Sequence, residues 1–140
     1  MDVQTLVFGQ AVLSFLQVLA LFTQHPARRA HNALRWWTFA NLSFFLGGAF
    51  GALRSFPSLR LFAIAMFVPL TLAGMLMLHV GVLRFFERKQ AIAPPVALCA
   101  AAILVHLYFT VARDGLSARD VNFAIFPAVI SFLTFRVFLV

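Results

Sequence analysis

The chain has 140 residues, of which 63% are hydrophobic, 15% aromatic and only 11% charged, with a mean hydropathy of +0.96. Soluble domains carry about a quarter charged residues, so this composition excludes an ordinary soluble domain and points to lipid as the solvent. The 11 Lys and Arg against 4 Asp and Glu give a net charge of +7. The basic residues sit at the ends of apolar runs and not on a basic face interleaved with aromatics, which argues for anionic lipid headgroups and against nucleic acid as the partner.

A hydrocarbon core takes roughly 20 apolar residues per helix, and five such runs fit the chain. The predicted fold is therefore all-α: a single polytopic membrane bundle of about five helices occupying residues 1–140, with spans near 3–22, 36–53, 59–83, 92–112 and 121–140. The first run has no charge; Gly9, Gln10, Ser14 and Gln17 break its apolar pattern. It is too long for the apolar part of a signal peptide, and its first charge, Asp2, has the wrong sign for one.

Gln24 to Arg35 reads as a polar loop with Arg28, Arg29 and Arg35, followed by Trp36 and Trp37 as an interfacial anchor. In the second run Ser43, Gly47 and Gly51 form a stripe of small residues at helical spacing. That stripe packs either against a neighbour in the same bundle or against a second copy, making a homodimer. Pro57 in the turn Arg54 to Ser58 separates the second run from the third.

Pro69 falls near the middle of the third run and predicts a kink. Arg84 to Gln90 is the second basic boundary. The fourth run enters through Pro94 and Pro95, which a first helical turn tolerates. It contains Cys99, the one cysteine of the chain, which excludes an internal disulfide and reads as a small packing residue. After a linker from Arg113 to Asp120, the fifth run contains Pro127 and Arg136 and reaches Phe138, Leu139 and Val140 without a polar flank. We therefore expect the 140 residues to be the N-terminal part of a longer protein.

The first and third connections carry six basic residues against four in the second and fourth. The positive-inside rule then predicts an external N-terminus and a cytoplasmic C-terminus.

Groups able to do chemistry at membrane depth are few. All four acids, Asp2, Glu87, Asp114 and Asp120, fall at loops or termini, which counts against a proton-coupled carrier. His79 and His106 lie within apolar runs but are expected at different depths, whereas two axial ligands of one haem share a depth. His25 and His31 lack metal-pair spacing. No nucleophile elbow, phosphate-binding loop or Cys-x-x-Cys occurs. The sequence nominates no catalytic, cofactor-binding or metal-ligating residue, and no cofactor.

Taken together, several short motifs resemble the N-terminal multi-helix membrane region that precedes GGDEF domains in bacterial diguanylate cyclases. They are the opening Met1-Asp2-x-x-Thr5-Leu6, a tryptophan after the first basic loop (Trp36 or Trp37), and the turn Leu53-Arg54-x-x-Pro57. The third helix ends in Gly74, Gly81, Arg84, Phe85 and Arg88, and Tyr108-Phe109-Thr110 with Arg119 resemble the close of the fourth helix and the opening of the fifth. An asparagine usual in the third helix is replaced around Val68 and Pro69.

The resemblance implies a sensory or anchoring module in a bacterial inner membrane, part of a signal-transduction protein, with any cyclase catalysis outside these residues. Two rival readings follow from the residues alone. One is a small membrane subunit or scaffold packing on a partner through Ser43, Gly47 and Gly51; the other is a small-solute transporter built on the proline-containing helices and the two intramembrane histidines.

Overall fold

The computed structural model describes residues 3–23, 28–88, 92–111 and 116–139. The described residues form five α-helices and no strand: α1 (Val3–Thr23), α2 (Arg28–Leu53), α3 (Arg60–Phe85), α4 (Ala93–Val111) and α5 (Leu116–Leu139). Among them, α3 and α4 are the two helices long and apolar enough to cross a membrane. In α1 and α5 the described apolar stretches are shorter, Phe8–Leu21 and Ala124–Val137. The hydropathy of α2 is diluted by Arg28, Arg29, Arg35, Asn41 and its glycines.

Two boundaries differ from the sequence reading. Residues 28–35, expected as loop, are the first two turns of α2, and residues 116–120 open α5. Arg, Ala and Leu are good helix formers whatever their polarity, and no proline or glycine interrupts residues 28–46.

Helix α3 is the hub. It packs most extensively on α2, while α1 adds to the far side of α2, and α4 and α5 complete a three-helix triangle with α3. The core of that triangle is Val68 and Leu72 from α3, Cys99 and Ala102 from α4, and Ile130 from α5.

The α2–α3 seam has a seven-residue repeat. Ala33, Ala40 and Gly47 on α2 lie against Gly81, Gly74 and Phe67 on the antiparallel α3. A methyl group added at Gly74 would come within 2.7 Å of Phe44 Cε1 and 3.1 Å of the Ala40 carbonyl oxygen. One at Gly81 would overlap the Trp37 indole and lie 3.4 Å from the Ala33 carbonyl oxygen. Ala33 and Ala40 are fully buried. Spacing by seven places at least one small residue at each of these three levels, so the two backbones approach closely. At one end of the seam Trp37 packs on Phe85, ring centroids 5.7 Å apart; at the other, Phe50 meets Phe62 edge to face at 5.5 Å.

The helix ends follow from local chemistry. Pro94 and Pro95 occupy the first turn of α4, where amides have no intrahelical partner, and the first bond is from Val96 N–H to the Ile92 carbonyl at 3.2 Å. Helix α3 closes in a Schellman motif. Arg88 N–H donates to the Leu83 carbonyl at 2.9 Å and Glu87 N–H to the Arg84 carbonyl at 3.3 Å. The pivot, Glu87, has φ 52°, a left-handed conformation that costs a non-glycine residue roughly 1 kcal/mol. Replacing Glu87 by glycine is expected to stabilise the fold by about 1 kcal/mol, read as a higher midpoint of unfolding in detergent. An unchanged or lower midpoint would show that the carboxylate matters more than the backbone.

Candidate functional site

Few polar side chains lie inside the helical core, and the two histidines mark its ends. Both are buried, His79 at 3% and His106 at 2% exposure. His79 Nδ1 is 3.0 Å from Thr134 Oγ1 on α5. Thr134 donates its single hydroxyl hydrogen to the Ile130 carbonyl at 2.8 Å. Its oxygen can then only accept from His79, which places the imidazole hydrogen on Nδ1.

His106 uses its other nitrogen. Nε2 lies 3.1 Å from the Ile64 carbonyl oxygen of α3 and 3.4 Å from Thr110 Oγ1. A carbonyl only accepts, so Nε2 carries the hydrogen. Thr110 gives its own hydrogen to the His106 carbonyl at 2.7 Å. Ile64 neighbours Ala65, whose carbonyl has no helical donor because Pro69 lacks an amide hydrogen. The imidazole of α4 therefore meets α3 in the turn that the proline weakens.

The two contacts reach α3 fifteen residues apart, about 22 Å at 1.5 Å per residue. The sequence-based expectation of different depths for the two imidazoles agrees with this placement. Between them lie Val68 and Leu72. Beside the His79–Thr134 contact, a groove of about 280 Å³ opens between α3 and α5, lined by Met75, Leu78, Ile130, Ser131, Thr134 and Phe135. Its lining is almost wholly apolar, with the Ser131 and Thr134 hydroxyls as the polar groups.

The remaining residues weighed from sequence are not gathered with these. Glu87 and Arg84 lie at the α3 end. His31 and Asp120 belong to α2 and α5, while Asp2, His25 and Asp114 lie outside the described residues. Among the described residues no three His, Cys, Asp or Glu side chains come together as metal ligands would. The stripe of small residues faces inward: Gly47 lies against Phe67, Leu70 and Thr71 of α3, and Ser43 Oγ donates to Met77 Sδ at 3.8 Å.

Sequence reasoning missed Thr134, Thr110 and the Ile64 carbonyl as partners. The one signal available was a threonine within the apolar run of each of α4 and α5. Replacing Thr134 by valine preserves shape and removes the acceptor, so it should cost about 1 kcal/mol, whereas serine should restore most of it. Unfolding of the two variants in mixed micelles measures the difference; equal stabilities would mean that the hydroxyl contributes nothing.

No family model, curated protein or solved structure matches this chain.

Proposed function

We propose that the five helices cross a bacterial inner membrane together, as an input or anchoring module of a signalling protein. The observation that carries the membrane part is the outer surface. Large apolar side chains on every helix point away from the protein, among them Leu104 at 68% exposure, Phe132 at 67% and Phe8 at 63%. Only 22% of the most apolar window of α3 and 28% of that of α4 is buried inside the protein. A core helix of a soluble protein would be mostly covered, and an apolar surface of this extent in water would aggregate.

The distribution of charge fits the same picture. From the antiparallel α2–α3 register and the His79–Thr134 and His106–Ile64 contacts, Arg28, Arg29, Arg35, Arg84, Arg88 and Arg136 fall at one end of the bundle. Arg54, Arg60 and Arg119 fall at the other. The richer end is assigned to the cytoplasm, against anionic headgroups, which leaves the N-terminus outside and the C-terminus inside.

The signalling part rests on the resemblance carried by Gly74, Gly81, Arg84, Phe85 and Arg88. In this chain those residues have packing roles: the glycines admit Phe44 and Trp37, Phe85 stacks on Trp37, and the Arg88 amide closes the helix. A seam held so closely would transmit a displacement of one helix to the next. An input module further needs two packings of similar energy, and the proline-weakened turn of α3 beside His106 is where α4 would shift.

The rival reading of a small partner-binding subunit rests on the stripe Ser43, Gly47 and Gly51, of which Ser43 and Gly47 are engaged with α3. Expressing the gene in full and identifying what is translated in frame after Val140 tests the proposal. A cytoplasmic output domain is expected. A product that stops there would remove the signalling role and leave a membrane bundle acting as a separate subunit or scaffold.

A further inference from the structure

Helix α1 is the peripheral helix; among the described residues it packs on α2 alone. Ala11, Ser14 and Val18 are buried in that contact, and Phe15 pairs with Phe45 at 5.4 Å. A second line of residues, Gln10, Leu13, Gln17 and Ala20, is exposed. Its spacing of three and four alternates as the a and d positions of a heptad do, with glutamine at both a positions. Gly9, beside it, has open space around its α-carbon.

The two amides are out of place on a lipid-facing helix. Leu13 is the midpoint of α1, and Gln10 and Gln17 lie within about 6 Å of it along the axis, well inside a hydrocarbon core of roughly 30 Å. Gln10 donates one hydrogen to Ser14 Oγ at 3.4 Å, a long bond that leaves its carbonyl oxygen free to accept. Gln17 makes no side-chain hydrogen bond among the described residues. A primary amide left in hydrocarbon is costly, and interhelical hydrogen bonds are the usual remedy.

An amide both donates and accepts, so its simplest complement is another amide. In a parallel two-fold pair of α1 helices, each a position meets its own copy, Gln10 opposite Gln10 and Gln17 opposite Gln17, with Leu13 and Ala20 packing between them. We propose that a second copy of this chain docks along the Gln10, Leu13, Gln17 and Ala20 line of α1, forming a parallel homodimer held by two amide pairs. This rests on the membrane reading, since in water the same amides would be satisfied by solvent. It would also place both C-termini on one side, side by side.

The test is a cysteine scan from Phe8 to Leu21 in a Cys99→Ala background, with the full gene product in its native membrane, followed by mild oxidation. Cross-linked dimers at positions 10, 13, 17 and 20, and none at 11, 14 and 18, are expected. In liposomes, Gln17→Leu should weaken association roughly tenfold while Gln17→Asn retains it. Absent or uniform cross-linking, or cross-links only to a different protein, would overturn the proposal. Labelling of Leu16→Cys by a water-soluble maleimide in sealed vesicles separates the two claims. If Leu16→Cys labels freely, the membrane reading fails; if it is protected and no cross-links form, only the pairing fails.

Discussion

Replacing Gly74 and Gly81 together by isoleucine should separate α2 from α3 and cost about 4 kcal/mol, the sum of two overpacking penalties of 1–3 kcal/mol each. At Gly74 the obstruction includes the Ala40 carbonyl, which belongs to backbone and cannot swing aside. At Gly81 the Trp37 indole blocks the space, and its rotation would break the stacking on Phe85. The control is Gly9→Ala on α1, where an added methyl group meets nothing within 4 Å. There the higher helix propensity of alanine should stabilise by about 0.5–1 kcal/mol. Unfolding in mixed micelles, followed by circular dichroism, reads both effects. A double isoleucine variant as stable as the parent would mean that the seam is not closely packed.

The second large effect is expected in the triangle of α3, α4 and α5. Leu72 is 1% exposed and sits between Cys99, Ala102 and Ile130. Leu72→Ala should cost about 2–4 kcal/mol through the cavity it leaves. Leu104, one helix away on the outer face of α4, offers the contrast: Leu104→Ala removes a side chain that touches mainly the surroundings and should cost under about 0.5 kcal/mol. Similar losses at both positions would place Leu104 in a protein interface and not against lipid.

Much of the helical pattern was legible in the amino-acid sequence because long apolar runs closed by Pro57, Pro94 and basic clusters leave little alternative to helix. The starts of α2 and α5 were not, since polar residues at the edge of an apolar run suggest loop as readily as helix. Arg28, Arg29, Ala30, Ala33, Leu34 and Arg35 are good helix formers, and a helix can extend beyond an apolar stretch into polar residues. Gly74 and Gly81 could be seen as glycines seven apart, and Ala33, Ala40 and Gly47 as small residues with the same spacing. What pairs them is a tertiary register that no local pattern states.

The candidate site was less legible still. Two histidines in apolar runs stood out, but one is held by a hydroxyl 55 residues away and the other by a backbone carbonyl, which has no side-chain signature. The left-handed Glu87 was equally hidden, because the expected marker for that conformation is glycine. The stripe of Ser43, Gly47 and Gly51 could face a copy or a neighbour on sequence grounds alone; contacts with Met77 and Thr71 turn Ser43 and Gly47 inward.

The proposed membrane module requires a bundle lying across lipid with its two ends in different compartments. Single cysteines at Ser58, in the α2–α3 turn, and at Arg88, just past α3, in a chain lacking Cys99, can be probed with a membrane-impermeant thiol reagent on intact spheroplasts and on inverted vesicles. Ser58→Cys should react from outside and Arg88→Cys only from the cytoplasmic side. Reaction of both from one side would contradict the crossing of α3, and with it the membrane architecture.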